Sequence, residues 1–361
     1  MILAKLFNIS FAPAAFEADR TRSETFYLNQ LHEVEDETVV RTLRFLNRKA
    51  GIVKRHFALP DVIQHERWLY KNVVIPDLED RMKLFSQLAP ELASKAIEKL
   101  LNKTKVLTSQ ITHLITVSCT GQSTPGIEWT LAKTWNLTHA EKFPLNFLGC
   151  HAGLKALSLA KQLCQEQANA LVLIVAVELS SLHFYPSKTG EDMVANVLFA
   201  DGAAAALVGG EAIEMDSETQ FNILKTGHAY IPESADKMTW NLSSTAFRMH
   251  LSPQLVDLIG KHVSKEVNHF LVEKMNDLRW AVHPGGIRIL EAVEEACALV
   301  NNELQTSKHV LEQFGNMSSV TILAILEILL LDSETKNSPI LAIAFGPGVS
   351  MEFCLLEPAL S

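Results

Sequence analysis

Three side chains, far apart in the chain, have the types and settings for chemistry on a carbonyl group. Cys150 stands in Asn146-Phe147-Leu148-Gly149-Cys150-His151-Ala152-Gly153-Leu154. A glycine before it and small residues after it predict a tight turn into a helix with the cysteine at its start. There the positive end of the helix dipole and free backbone N–H groups favour thiolate, which is the nucleophilic form. The competing reading is a small buried cysteine on a packed helix. His283 lies in Trp280-Ala281-Val282-His283-Pro284-Gly285-Gly286. It ends an apolar strand and precedes a turn whose glycines let a ligand come close; a turn histidine bonded only locally is the alternative. Asn316, in Phe314-Gly315-Asn316-Met317-Ser318-Ser319, also follows a glycine and opens a helical run. Asparagine is a good helix N-cap too, and that is its plainer role.

The other candidates are weaker. His151 adjoins Cys150, but consecutive helical side chains diverge by about 100°. Cys119, in Ser118-Cys119-Thr120-Gly121, follows a strand and is the rival nucleophile. The remaining histidines lack metal-ligand spacing and read mostly as surface residues. No Walker loop, Gly-x-Gly-x-x-Gly or Gly-x-Ser-x-Gly occurs, which disfavours nucleotide hydrolases, dinucleotide dehydrogenases and α/β-hydrolases.

These residues need elements to position them. The 361 residues are 48% apolar and 20% charged, enough for a large core and about two structural units. A formal charge of −9 argues against a general nucleic-acid binder, while a local basic patch for a small anion stays open. Five cysteines without a Cys-x-x-Cys pair suit a reduced, cytoplasmic protein. Residues 1–16 weakly mimic a signal peptide, but Lys5 interrupts the apolar region and 2–11 read equally as a first strand. The apolar run 320–331 is too short to span a bilayer and predicts a buried helix. Residues 114–118, 171–177 and 340–344 read as strands. A helix is predicted from Ser252-Pro253, with Leu255, Ile259, Val263, Val267, Phe270 and Leu271 on one face, and another over 287–300. The alternation predicts α/β with a largely parallel sheet. Residues 114–119 can be laid over 278–283, and a Gly-x pair, a helix and an apolar strand follow each. The chain thus reads as two related halves joined near 211–222.

These segments, in this order, resemble the type III polyketide synthases, the chalcone synthase-like family. The resemblance spans about 41–356 and rests on Gly149-Cys150-His-Ala-Gly153, Leu198-Phe199-Ala-Asp201-Gly202-Ala-Ala, His283-Pro-Gly-Gly286, Gly315-Asn316-Met-Ser-Ser319 and Phe345-Gly346-Pro347-Gly348. It implies the thiolase-like fold: two duplicated α/β halves in an αβαβα arrangement, divided here as 1–215 and 216–361, forming a homodimer. It implies that Cys150 takes an acyl group from coenzyme A and that His283 pairs with its thiolate. Asn316 would join His283 in donating to the extender's carbonyl while malonyl-CoA decarboxylates. Fixed donors to such an oxyanion are typically worth about 2.7–4 kcal/mol. Phe199 matches an aromatic gatekeeper, with core packing as its plainer role. A second gatekeeper falls on Phe247 or Met249. Cys119, Thr120, Thr124 and the Gly346-Pro347-Gly348 loop would line the substrate cavity. Arg48, Lys49, Lys54 and Arg55, with Arg288, would bind coenzyme A. No metal or other cofactor is implied.

The family's Gly-Phe-Gly-Pro-Gly loop begins here with Ala344, and the residue after Cys150 is the polar His151. Cys119-Thr120 and the small Thr124 resemble bacterial members, several of which take long acyl starters and make alkylpyrones or alkylresorcinols. The expectation is a decarboxylative condensing enzyme using a fatty acyl-CoA starter. Its rivals are a ketoacyl synthase III-like enzyme served by a carrier protein, a thioesterase using Cys150, and a silent acyl-CoA-binding partner.

Overall fold

The computed structural model describes residues 4–31, 37–63, 68–70, 75–215, 220–273, 275, 277–300, 302–333 and 337–359. In chain order its main elements are β1 (Lys5–Pro13), β2 (Phe16–Asp19), α1 (Arg20–Gln30), α2 (Glu37–Lys49), β3 (Lys54–Phe57), α3 (Leu78–Thr104), β4 (His113–Ser118), α4 (Ile127–Thr134), β5 (Glu141–Asn146), α5 (Ala152–Glu166), β6 (Leu171–Leu179) and α6 (Gly190–Leu198). There follow β7 (Asp201–Gly209), β8 (Phe221–Tyr230), β9 (Met238–Leu242), β10 (Phe247–Leu251), α7 (Leu255–Leu271), β11 (Arg279–Val282), α8 (Ile287–Ala296), α9 (Gln305–Phe314), α10 (Ser319–Leu331), β12 (Ile340–Gly346) and β13 (Ser350–Pro358).

The continuous apolar strands explain the layering. β6 is buried along its whole length. Leu171, Leu173, Val175 and Val177 face one core; Val172, Ile174 and Ala176 face another. β12 divides the same way, with Ile340, Ala342 and Ala344 on one side and Leu341, Ile343 and Phe345 on the other. A strand apolar on both faces must be covered on both. α3 covers the outer face of the first half through Phe85, Ala89, Ala93 and Ile97. α7 and α8 cover the second through Ile259, Val263, Leu290 and Val293. Between the halves lie α5 and α10. α10 is apolar around almost its whole circumference, as a central helix must be. The result is the αβαβα layering of the thiolase-like fold.

The duplication is visible in the strand order β11-β12-β13-β8-β1-β7-β6-β4-β5. In the first half β4 runs parallel to β6, β6 antiparallel to β7, and β7 antiparallel to β1. In the second half β11, β12, β13 and β8 repeat that series of directions. β5 adds an edge strand to the first half, parallel to β4. The sheet is therefore mixed rather than largely parallel. Apolar runs report burial but not strand direction, and β7 and β13 return antiparallel beside their predecessors.

Three boundaries differ from expectation. Ser252 and Pro253 form a turn before α7 instead of its cap: the Ser252 carbonyl accepts from Leu255 N–H (3.0 Å), and its hydroxyl accepts from Gln254 N–H (3.3 Å). α8 ends at Ala296, because Ala298 takes a positive φ of 52° and turns the chain. The first strand starts at Lys5; Met1 and Ile2, and positions 216–219 of the junction, lie outside the described residues.

Candidate active site

The turn ahead of α5 is built for a close approach. Gly149 has φ +96°, and a Cβ there would overlap the Pro347 ring. Its N–H donates to the Cys119 sulfur (3.0 Å). Cys150 and His151 follow, and α5 starts at Ala152. One residue on, a Cβ at Gly153 would lie 2.5 Å from the Ser319 carbonyl oxygen. The starts of α5 and α10 therefore touch, and the corresponding turns of the two halves converge.

Cys150 is 8% exposed, and Ser318 lies beside it. Burial pushes its thiol up to about 12; hydrogen bonding from Ser318 opposes the rise and the Glu178 charge adds to it. This overturns the expectation that the helix start by itself yields thiolate. The cysteine precedes the helix by two residues, and desolvation outweighs the dipole. Cys119 is fully enclosed and is also pushed up, mainly by burial and then by Glu178. Its sulfur serves as an acceptor for the turn, which disfavours it as the rival nucleophile.

Asn316 bridges to the segment that carries Phe199. Its N–H donates to the Leu198 carbonyl and its carbonyl accepts from Ala200 N–H, both at 2.9 Å. Its Oδ1 accepts from Ser318 N–H at 2.8 Å, so the side chain fixes the turn that carries Ser318 beside Cys150. His283 follows β11, and its N–H is held by the Ile343 carbonyl (2.8 Å). The ring is 1% exposed, yet neither nitrogen has a hydrogen-bond partner among the described residues. Burial pushes it down to about 3, and nearby His151 adds to that fall. His151 is itself pushed down to about 4 by burial, then by Lys155. Its Nε2 lies 3.5 Å from the Ser350 hydroxyl.

Three cavities lie among these elements. The one at Cys150, about 20 Å³, is lined by Cys119, Thr120, Phe199, Met249, Ser318 and Pro347, among others. His283 and Asn316 lie outside its wall. Phe199, Trp240 and Met249 separate it from a second space of about 60 Å³, which Phe26, Tyr70, His183 and Phe247 help to line. The third, about 530 Å³, is lined by Lys49, Val197, Leu198, Gly285, Gly286 and Arg288, among others.

Several expected site residues are thereby sorted. Phe199 and Met249 face the Cys150 cavity, whereas Phe247 faces only the rear one and stacks on His183 at 4.3 Å. Pro347 lines the Cys150 cavity and Gly346 packs against the His151 ring. Gly348 takes φ +93° in the same loop. Thr124 is exposed and outside that wall, because the chain turns outward after Thr120. Arg55 is no surface coenzyme A ligand. It is buried and donates to the carbonyls of Asn196 (2.7 Å) and Phe199 (2.8 Å), with Asp201 as its charge partner. Lys54 pairs with Glu17 at 2.7 Å. Arg48 is exposed on the last turn of α2, and Lys49 and Arg288 line the largest of the three cavities described.

The sequence reading missed Glu178, His183 and Trp240. Glu178 is fully buried and accepts from Cys119 N–H (2.9 Å), the Thr120 hydroxyl (2.8 Å) and the Ser319 hydroxyl (2.5 Å). Burial pushes its carboxyl up, against those hydrogen bonds. The available signal was one acid near the end of an otherwise apolar strand. His183, read as surface, is buried and joins the Thr120 carbonyl (2.7 Å) to Phe247 N–H (3.1 Å). Trp240 Nε1 donates to the Cys119 carbonyl (2.8 Å).

The sequence matches the family described as chalcone and stilbene synthases, its N-terminal domain over residues 9–212 and its C-terminal domain over 222–359. Similar solved structures include PKS-I from the brown alga Ectocarpus siliculosus, 21% identical over 99% of each chain with a TM-score of 0.90. The C-terminal type III polyketide synthase domain of Steely1, a type I/III hybrid from Dictyostelium, is 23% identical, covering 99% of this chain and 100% of that one, TM-score 0.91. A point mutant of CsyB is 24% identical over 99% and 100%, TM-score 0.89. The chain belongs to the chalcone and stilbene synthase family. It is a type III polyketide synthase, an acyltransferase of the condensing kind. No helix among the described residues is long and apolar enough to cross a membrane.

Proposed function

We propose that this enzyme condenses malonyl-CoA with a fatty acyl-CoA starter through an acyl-Cys150 intermediate and releases an alkylpyrone or alkylresorcinol. The observation that carries this reading is His283, a buried imidazole with both nitrogens unpartnered behind the converged turns. A buried donor without a partner costs about 1–3 kcal/mol, and such a group in a native site calls for a function. A thiolate and then a substrate carbonyl would supply the missing partner. Asn316 would be the second donor.

In the first step the Cys150 thiolate attacks the starter thioester and coenzyme A thiolate leaves. Malonyl-CoA then loses carbon dioxide, and its enolate oxygen is held by His283 and Asn316. The enolate carbon attacks acyl-Cys150, a carbon–carbon bond forms, and the cysteine sulfur is expelled. The carbanion comes from decarboxylation and the leaving group from the thioester, so the cycle needs no metal or redox cofactor. Lys49 and Arg288 suit the phosphates of coenzyme A at the mouth of the third cavity. The apolar walls formed by Phe199, Met249 and Trp240 suit an alkyl tail, which must displace them to reach the rear space. A homodimer in the cytoplasm completes the reading; the cysteines are all free, as a reducing compartment would keep them.

The test is a panel of acyl-CoA starters with labelled malonyl-CoA, read by mass spectrometry beside Cys150→Ala. Labelled pyrones or resorcinols that vanish in the variant are expected. Free acid without a new carbon–carbon bond, or activity only with a malonyl carrier protein, overturns the reading.

A further inference from the structure

Two large side chains that line the Cys150 cavity arrive on different elements. Phe199 directly follows α6, and Met249 lies on β10. Both line the front and rear cavities, so their separation sets the passage between them. α6 and β10 are tied together at the rim of the rear cavity. Arg248 Nη2 donates to both oxygens of Asp192, at 2.8 and 2.6 Å, and the guanidinium lies 4.1 Å from the centre of the Tyr185 ring. Asp192 also accepts from the Thr189 hydroxyl (2.8 Å). Two residues beyond Arg248 and one before Asp192, His250 Nδ1 lies 2.9 Å from Glu191. The Asp192 side chain is only 10% exposed, and Arg248 is 39% exposed.

We propose that the Arg248–Asp192 pair is a latch that sets the Phe199–Met249 aperture, and hence the bulk of acyl chain able to pass between the two cavities. α6 is a bar of nine residues held at both ends. Arg55 grips the carbonyls of Asn196 and Phe199 at one end, and the latch grips Asp192 near the other. Releasing the latch frees α6 and β10 to part, and the two gate side chains travel with them. Arg248 and Asp192 lie outside the Cys150 cavity wall and are positioning residues. The role in acyl selection rests on Cys150 being the acceptor of the starter; the aperture itself does not.

Alkylation of Cys150 separates the two statements, since it needs no condensation. In the full chain, Cys150 labelling by iodoacetamide and by N-dodecylmaleimide is followed by peptide mass spectrometry. Arg248→Gln and Asp192→Asn are each expected to raise the long-chain to small-reagent rate ratio by about fivefold, the scale on which one partly exposed ion pair biases two states. The double variant should match the single ones, and Arg248→Lys should stay near wild type. An unchanged ratio, equal acceleration of both reagents, or additive effects in the double variant overturns the latch. If Arg248→Gln fails to fold, Asp192→Asn against Arg248→Lys carries the comparison. A shifted ratio with no starter consumed would keep the latch and sink the substrate reading.

Discussion

The decisive perturbation is His283→Gln, read by the pH dependence of Cys150 alkylation. Burial holds the thiol up to about 12 and the imidazole down to about 3, so each group alone stays neutral near neutral pH. On the proposed reading, reactivity there requires the sulfur proton to pass to the ring, so that each charge stabilises the other. Glutamine keeps a donor in the space but takes no proton. A thiol held at about 12 is ionised in about one molecule in 10⁴ at about pH 8. Its greater basicity returns about 10² in nucleophilicity if the wild-type pair titrates near 7. The net loss is about hundredfold. Iodoacetamide labelling from about pH 6 to about pH 10 should level off in the wild type, while the variant climbs about tenfold per pH unit. The same steep climb in both proteins would refute the reasoning, since the imidazole would then contribute no charge to the sulfur.

Two further outcomes follow from the same geometry. Gly153→Ala places a Cβ 2.5 Å from the Ser319 carbonyl and should cost about 1–3 kcal/mol in urea unfolding, with a larger proportional loss of condensation as the two turns separate. Wild-type stability should fall as pH drops below the unfolded histidine value of about 6.5, because His183, held down to about 3, and His151, held down to about 4, bind fewer protons folded than unfolded. Asp201, held up to about 6, and Glu178, also raised, act in the opposite sense and gain stability on acidification. Among the described residues the lowered histidines outnumber the raised acids, so stability in urea unfolding should be lower at about pH 5 than at about pH 6.5, and equal stability at the two values would contradict it.

The reach of the sequence reading follows the physics of each signal. β6, β12 and α10 were legible because a strand or helix buried on every side leaves an uninterrupted apolar run. The Cys150 turn was legible because only a glycine fits at position 149, against Pro347 and at positive φ. Strand direction was not legible, because it depends on how the chain returns rather than on which faces are apolar. Arg55 misled for a related reason. It belongs to a basic cluster in the sequence, but Lys54 meets Glu17 at the surface while the next side chain is buried under Phe199. Glu178 was hidden because its donors, Cys119, Thr120 and Ser319, come from two distant segments, and only the fold shows that a buried carboxylate is satisfied there.

The duplication gives Cys150 and Asn316 corresponding places, a thiol on one turn and an amide on its counterpart. Each half delivers a glycine of positive φ, +96° at Gly149 and +72° at Gly315, then Cys150 or Asn316, and a short step further on a central helix, starting at Ala152 or Ser319. The contact of Gly153 with Ser319 shows that the two helices leave from the same point. One copy of the turn bears a thiol, which on the proposed function carries the chain, and the other a neutral carboxamide whose Oδ1 already holds the turn beside Cys150. Identical residues in both copies would supply two nucleophiles and no donor, or two donors and no acceptor of the chain. On the proposed function, the asymmetry of two side chains on a symmetric scaffold would separate holding the acyl group from stabilising the enolate. Exchanging Asn316 for Asp should damage the second task more than the first, because a carboxylate there would oppose the enolate's charge, and acyl-Cys150 should accumulate in quenched reactions analysed by intact-protein mass spectrometry.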